Sequence, residues 1–313
     1  MEQQPSDHSP ERRRAPRTIT PLSTPAMNSV GSLRFPYSQD ELTQCVKAAL
    51  DEDGAFNDLT TIATVVSDRH ARARLVSRAT GVLCGVPLAV EAFCQLDDKI
   101  TIRVDHEDGS RLEPGSSVLY LSGHARALLA AERVALNFMQ RLSGIASLTA
   151  RYVEAVHGTR ARILDTRKTT PGWRLLEKYA VRAGGGVNHR MNLSSAVLIK
   201  DNHLAAVDGD VGVAVRRARD IAPAGTKVEV ECDNIDQVRA ALNAGVDIIM
   251  LDNMTPAQMA ACVGLVDGRV ITEASGGVSL ETVRAIAETG VDWISVGALT
   301  HSAPSLDLAL DFE

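Results

Sequence analysis

Short apolar runs in the second half of the chain alternate with segments of helical period. Each run is three to five residues long, and most are followed directly by a charged residue. The six runs cover residues 161–164, 196–199, 227–230, 247–251, 270–272 and 293–296. Strands that alternate with helices in this way pair in parallel, so the pattern predicts an α/β fold with an open or incomplete α/β barrel.

The first half of the chain has a different pattern, in which apolar runs lie between glycine and proline. These runs cover residues 71–76, 81–84, 100–104 and 117–121. They favour strands of a small sheet domain that ends near Gly123. Few functional groups cluster here, so we expect this domain to cover or complete a site formed elsewhere. Residues 1–32 are rich in proline, serine and arginine and lack an apolar period, which predicts a disordered tail.

Two helices stand out in the first 160 residues. Ser38, with Glu41 three positions later, predicts a capped helix over residues 38–50. The apolar period of residues 124–156 predicts a longer helix, which we expect Gly144 to interrupt. A stripe of leucine, phenylalanine and methionine at this spacing is typical of a core-facing helix.

Composition narrows the class of ligand. The chain has 313 residues, 33 lysines and arginines, 39 aspartates and glutamates, and a net charge of -6. An acidic chain with one locally basic segment favours a small anionic ligand over a nucleic acid. The five cysteines form no CxxC pair, which predicts reduced thiols and a cytoplasmic protein. No apolar stretch of about 18 residues predicts a membrane span.

One segment, residues 163–203, gathers most of the candidate chemistry. Its cationic or potentially cationic side chains are those of Arg167, Lys168, His189, Arg190 and Lys200. Cations at the ends of strands and helices are often solvated surface groups, which is the alternative interpretation. Five of them on one βαβ-like unit repel one another unless an anion is bound. The set therefore predicts a polyanionic ligand.

Two carboxylates follow neighbouring predicted strands of the barrel. Glu231 comes after residues 227–230, and Asp252 comes after residues 247–251. Strand ends of this kind meet on the active face of an α/β barrel. Two carboxylates there predict a Mg²⁺ site in which the ion is shared with a phosphate ligand. An ion pair with the nearby cations is the alternative.

Small residues follow the last two predicted strands. Ser275, Gly276 and Gly277 lead from one strand into a helix, and Gly297 follows the final strand. Small side chains let backbone N–H groups approach a phosphate, and the last two loops of a barrel are a recurrent phosphate site. The alternative is a tight turn that needs glycine for its backbone geometry.

Several motifs together resemble the quinolinate phosphoribosyltransferase family, over nearly everything after about residue 38. The motifs are Asn57-Asp-Leu-Thr-Thr61, Glu132-Arg-Val-Ala-Leu-Asn-Phe138, Leu164-Asp-Thr-Arg-Lys-Thr-Thr-Pro-Gly172, Gly184-Gly-Gly-Val-Asn-His-Arg190, Ile199-Lys-Asp-Asn-His203, Glu229-Val-Glu231, Met250-Leu-Asp-Asn253 and Ser275-Gly-Gly277. The resemblance implies the transfer of a phosphoribosyl group from phosphoribosyl pyrophosphate to quinolinate with decarboxylation, in NAD synthesis. It also implies an N-terminal α/β sandwich, residues 33–135 with 302–313, and a catalytic barrel, residues 136–301.

The resemblance assigns further roles. It implies a homodimer in which one subunit's sandwich closes over the other's barrel, and it leaves higher assembly open. Arg133, a lone arginine that composition alone would place at the surface, is then expected to reach the partner's site. The residues expected to act in catalysis are Lys168, Glu231 and Asp252. Those expected to bind quinolinate are Arg133, Arg167, Lys168, His189, Arg190 and Lys200, and those expected to bind phosphoribosyl pyrophosphate are Glu231, Asp252, Ser275, Gly276 and Gly297.

Two other functions are compatible with parts of the pattern. One is a related phosphoribosyltransferase that acts on nicotinate or another anionic ring without decarboxylation. The density of arginine and lysine favours a dicarboxylate over a monocarboxylate ligand. The other is a phosphate-binding module without turnover, against which the full sets of cationic and acidic residues argue.

Overall fold

The computed structural model describes residues 19–21 and 33–313. Of the predicted tail, only Ile19–Pro21 lies within the described residues, where it forms a strand. The elements of the first half are β1 (Ile19–Pro21), α1 (Gln39–Glu52), α2 (Leu59–Thr64), β2 (His70–Ser77), β3 (Gly81–Val82), α3 (Val86–Leu96), β4 (Thr101–Val104), β5 (Arg111–Leu112), β6 (Ser117–His124) and α4 (Ala125–Ala155). The capping box predicted at Ser38 and Glu41 is confirmed at the start of α1.

The second half continues the alternation of strands and helices. Its elements are β7 (Arg162–Leu164), α5 (Arg174–Ala183), β8 (Val197–Ile199), α6 (Asp201–Ala205), α7 (Val211–Ile221), β9 (Val228–Cys232), α8 (Ile235–Ala244), β10 (Ile248–Asp252), α9 (Pro256–Val266), β11 (Ile271–Ser275), α10 (Val283–Ala287), β12 (Trp293–Ser295), α11 (Ala298–His301) and β13 (Leu308–Phe312).

The first sheet has the strand order β1-β4-β6-β2-β13. Its central strands β2 and β6 pair antiparallel along most of their length, and β4 is antiparallel to β6. The chain returns to this sheet at its far end, where β13 pairs antiparallel with β2 and Leu308 lies opposite Ser77. The helices α3 and α4 pack against each other, and α4 also contacts β13. This half is a separate domain built on a mainly antiparallel sheet.

The second sheet has the order β7-β12-β11-β10-β9-β8, with every neighbouring pair parallel. Its central strands β9 and β10 are almost wholly buried, as parallel strands covered by helices must be, and their residues are apolar except for Glu229, Glu231 and Asp252. The outer strands β7 and β8 do not pair with each other in the described part of the chain. The predicted α/β fold with an open or incomplete barrel is therefore confirmed, with six strands and no closure.

Gly144 does not interrupt the long helix, and that expectation was wrong. The helix α4 runs unbroken for 31 residues from Ala125 to Ala155. A Cβ atom at Gly144 would lie 2.0 Å from the carbonyl oxygen of Pro304, so the missing side chain lets the helix meet this segment closely. Tertiary packing has thus overridden the weak helix propensity of glycine. The predicted domain boundary at residues 135 and 136 lies inside the same helix.

Candidate active site

A cavity of about 510 Å³ opens at the carboxyl ends of the parallel strands. The structure brings nine of the eleven predicted site residues to its wall. They are Arg167, Lys168, His189, Arg190, Lys200, Glu231, Asp252, Ser275 and Gly276. Cationic groups and carboxylates thus line one cavity. It lies at the carboxyl edge of the parallel sheet, which is the position that the sequence predicts for them.

Gly297 and Arg133 do not line this cavity. Gly297 lies beside its rim, where a Cβ atom would be 3.1 Å from Cδ of Lys168. Arg133 is exposed on α4. The absence of a side chain at Gly297 leaves room for the lysine, while Arg133 is outside the cavity of its own chain.

Residues 165–170, here called the β7 loop, carry Arg167 and Lys168 directly after β7. Their neighbour Arg190 donates a hydrogen bond to the carbonyl oxygen of Ala196 at 3.1 Å. Burial and the nearby Arg167 lower the pKa of Arg190. The positive charge of Arg167 beside Arg190 favours the binding of an anion, which removes the repulsion between the two cations.

A buried ion pair fixes the segment that carries His189. Lys178 of α5 donates to Asp165, and both side chains are almost wholly buried. Asp165 also accepts the backbone N–H of His189 at 2.9 Å and the side-chain amide of Asn188 at 2.6 Å. Burial raises the pKa of Asp165 and lowers that of Lys178. Since a buried pair is stable only when its remaining polar groups are satisfied, these contacts hold the segment rigidly.

His189 lies between two glutamates. Its Nε2 atom is 3.2 Å from Glu229 and 3.4 Å from Glu273, and both carboxylates are buried. Burial disfavours the charged ring, but hydrogen bonds to Glu229 and Glu273 outweigh it and raise the pKa of His189 to about 10. The backbone N–H of Arg190 points at the other ring nitrogen, Nδ1, at 2.8 Å. A second proton on the ring therefore requires this N–H to turn away.

The same three side chains have the donor set of a metal site, with one ligand atom each within 4.8 Å of the others. The ring already faces both carboxylates, and a proton on the ring compensates one of their charges. Burial raises the pKa of Glu229, and Glu273 receives a hydrogen bond from the hydroxyl of Ser295. We therefore interpret the group as a cluster of one histidine and two carboxylates, held by charge attraction beside the cavity.

Glu229 and Glu273 were not predicted as site residues. The sequence interpretation ended one strand at Glu231 and another at Glu273, whereas β9 and β11 continue past these positions. Side chains two residues apart on a strand share a face. Glu229 therefore faces the same side as the predicted Glu231, and Glu273 the same side as Ser275. The alternation of side chains along each strand is therefore the sequence signal that indicates both glutamates as site residues.

Glu231 and Asp252 lie on the paired strands β9 and β10, as predicted. Met250 is opposite Glu231, so Asp252 lies one pleat further along on the same face. Glu231 forms an ion pair with Lys200, which is the alternative that the sequence left open. Asp252 accepts a hydrogen bond from the side-chain amide of Asn253. The magnesium site stays a prediction.

The turn after β11 needs glycine. Gly276 has φ of +88°, and a Cβ atom there would lie 2.2 Å from Oδ1 of Asn253. Asn253 itself adopts a positive φ of 53° and donates its backbone N–H to the carbonyl oxygen of Ser275. The tight-turn explanation therefore holds for Gly276, and phosphate binding at this turn is a further prediction.

Comparison with known proteins identifies the family of the chain. Residues 58–143 match the model of the quinolinate phosphoribosyl transferase N-terminal domain, and residues 145–311 match that of its C-terminal domain. The chain belongs to the quinolinate phosphoribosyltransferase family. The family resemblance in the motifs is thereby confirmed.

Individual members of the family align over most of their length. A nicotinate-nucleotide pyrophosphorylase [carboxylating] of Mycobacterium leprae is 45% identical over 280 residues, which cover 87% of this chain and 97% of that protein. A quinolinate phosphoribosyltransferase [decarboxylating] of Nicotiana tabacum is 39% identical over 96% of this chain and 91% of its own length.

Solved structures share the architecture. The nicotinate-nucleotide pyrophosphorylase of Francisella tularensis superposes with a TM-score of 0.83 at 38% identity, covering 90% of this chain and 99% of that one. Within the described ranges, no helix is both long enough and apolar enough to cross a membrane.

Proposed function

We propose that the cavity at the carboxyl ends of β7 to β12 is where this quinolinate phosphoribosyltransferase works. The enzyme transfers a phosphoribosyl group from phosphoribosyl pyrophosphate to quinolinate with loss of carbon dioxide, and yields nicotinate mononucleotide and pyrophosphate for NAD synthesis. The observation that carries the assignment of the site is the meeting of five basic side chains and two carboxylates, Glu231 and Asp252, in one cavity.

The basic side chains suit a dicarboxylate. Quinolinate brings two negative groups, and each charge-assisted hydrogen bond to a cation contributes about 1.5 to 3 kcal/mol. We assign Arg167, Lys168, His189, Arg190 and Lys200 to these groups. Several such bonds are needed because the carboxylates lose their hydration when they enter the cavity.

Glu231 and Asp252 are suited to hold Mg²⁺. They supply two carboxylates on neighbouring strands, and Mg²⁺ commonly uses one or two carboxylates together with water and phosphate oxygens. The donor set therefore fits an ion shared with pyrophosphate. Held by Glu231 and Asp252, Mg²⁺ would supply positive charge to offset the negative charge of the departing pyrophosphate. We assign Ser275, Gly276 and Gly297 to the 5-phosphate, at the turns that follow β11 and β12.

The reaction needs no covalent intermediate on the protein. The pyridine nitrogen forms a bond to the anomeric carbon while the bond from that carbon to pyrophosphate breaks, through an oxocarbenium-like state. Lys168 and its neighbours position the ring and balance the charge of the two substrates. The alkylated nitrogen is then cationic, so its charge stabilises the electron pair that stays on C2 when the bond to carbon dioxide breaks, until a proton adds to C2.

The active unit is proposed to be a homodimer that shares its sites. Arg133 lies outside its own chain's cavity and is exposed, which leaves it able to reach a partner's cavity. In the same N-terminal half, α2 and the segments beside it expose apolar side chains, among them Leu59 at 80% and Val66 at 66%. Such a surface suits burial against a second copy. We further propose a cytoplasmic location, which free cysteines support.

The test is to incubate the purified enzyme with quinolinate, phosphoribosyl pyrophosphate and Mg²⁺ and to measure nicotinate mononucleotide and carbon dioxide. A parallel reaction replaces quinolinate with nicotinate. We expect equal amounts of the two products from quinolinate and no product from nicotinate. Product from nicotinate alone would contradict the proposal, and so would ligand binding without turnover.

A further inference from the structure

The β7 loop carries Arg167 and Lys168 but belongs to no helix or strand, so contacts from other elements determine its shape. Besides the hydrogen bonds from Arg174 of α5 to Thr169 and Arg167, two such contacts come from outside the cavity. Glu177 of α5 accepts the backbone N–H of Thr170 at 3.1 Å. The hydroxyl of Thr300 in α11 donates to the carbonyl oxygen of Lys168 at 2.7 Å. Side chains of two helices thus hold the loop backbone on both sides of residue 169.

Glu177 is a fully buried carboxylate with two kinds of partner. Its Oε1 atom accepts the hydroxyl of Thr170 at 2.9 Å and Nη2 of Arg141 at 3.0 Å. Burying a carboxylate without a counter-charge is strongly unfavourable. Arg141 therefore supplies the counter-charge for Glu177 at the place where this carboxylate holds the loop.

Arg141 also acts on the second contact. Its guanidinium donates to the carbonyl oxygen of Thr300 and, at 3.0 Å, to that of Ala303. These bonds fix the end of α11, from which the Thr300 hydroxyl reaches Lys168. One arginine of α4 thus stabilises both attachments of the β7 loop.

We propose that Glu177 and Arg141 are positioning residues, which hold the β7 loop so that Arg167 and Lys168 face the bound anion. Neither residue lines the cavity, so each acts through the loop. The inference rests on the proposed anion-binding role of Arg167 and Lys168. Without the pair, the loop samples more conformations, and the bound anion has to select the correct one from among them.

The test compares Glu177→Gln and Arg141→Met with Arg160→Met. The control breaks the exposed ion pair between Arg160 and Asp292, which lies at the opposite end of the same sheet. Quinolinate Kd is measured by calorimetry on folded protein, together with kcat, KM and the melting temperature. We expect Kd and KM for quinolinate to rise about tenfold or more in the first two variants, and to stay near the wild-type values in the control.

Thr300→Val provides a second test if the charge variants fail to fold. It preserves side-chain shape and removes only the hydroxyl that holds Lys168, so quinolinate affinity is expected to fall while the protein stays folded. Wild-type affinity in folded Glu177→Gln, Arg141→Met or Thr300→Val protein, even with a lower melting temperature, would overturn this inference alone. Wild-type enzyme that fails to bind quinolinate would overturn the proposed function and this inference with it.

Discussion

Nε2 of His189, a residue of the cavity wall, lies 3.2 Å from the buried carboxylate of Glu229. The carboxylate keeps the ring nitrogen protonated and fixes the direction in which it points. Replacing Glu229 by glutamine removes the charge but keeps the shape. We expect the pKa of His189, raised to about 10 in the wild type, to move towards its ordinary value near 6.5.

The raised pKa of His189 also predicts how the stability of the wild-type protein depends on pH. A histidine whose pKa is raised by folding contributes stability that is complete below its unfolded pKa of about 6.5 and is lost as pH rises through about 10. NMR titration of the ring and urea unfolding between pH 6 and pH 10, roughly the window between these two pKa values, measure both effects. Glu288→Gln, at an exposed glutamate, is the control. Identical titration curves in wild type and Glu229→Gln would refute the role of Glu229.

Gly276→Ala tests the turn after β11. The new Cβ atom would meet Asn253, and the positive φ of Gly276 adds strain, so we expect the turn to shift and the KM for phosphoribosyl pyrophosphate to rise about tenfold or more. Gly225→Ala is the matched control because Gly225 also has a positive φ and open space around it but does not line the cavity. A KM for phosphoribosyl pyrophosphate that is equal in the two variants would contradict the role of the turn.

Lys168→Ala tests the assignment of the β7 loop to anion binding. Loss of a charge-assisted hydrogen bond worth about 1.5 to 3 kcal/mol corresponds to a weakening of quinolinate binding by roughly 10- to 100-fold. Calorimetry with quinolinate measures this directly. Lys227→Ala, which removes an exposed lysine paired with Asp247, is expected to bind as the wild type does. Unchanged affinity in Lys168→Ala would remove this lysine from the site.

Subunit mixing tests the shared site. Arg133→Ala and Lys168→Ala are each expected to be nearly inactive alone. A heterodimer of the two contains one site with both residues intact. Random reassortment therefore restores about one quarter of the wild-type activity. Assays after unfolding and refolding the mixture, with each variant treated alone as the control, measure the recovery. No recovery in verified heterodimers would contradict a site shared between subunits.

Residues that directly follow an apolar run could be placed from the sequence. Lys200 and Asp252 needed only the rule that parallel strands deliver their carboxyl ends to one face. Glu273 was harder to place because a buried carboxylate within a strand looks like the strand's end. Its partners His189 and Ser295, which make its burial favourable, lie 84 and 22 positions away in the chain.

Long-range packing accounts for the other differences. Gly144 has the local character of a helix breaker, and only the approach of Pro304 explains why glycine lies in the middle of α4. Arg141 and Glu177 likewise show no local pattern that indicates a pair. Their contact depends on how α4 crosses α5, which the period of either helix alone does not determine.

The pairing of β13 with β2 affects how the protein folds as it is synthesised. Leu308 and Ser77 lie 231 positions apart in the chain, yet they are opposite each other in one sheet. Until residues 308–312 have been synthesised, β2 keeps an unpaired edge that can associate with other chains. We therefore expect the N-terminal domain to reach its final form after the parallel sheet, although it is translated first.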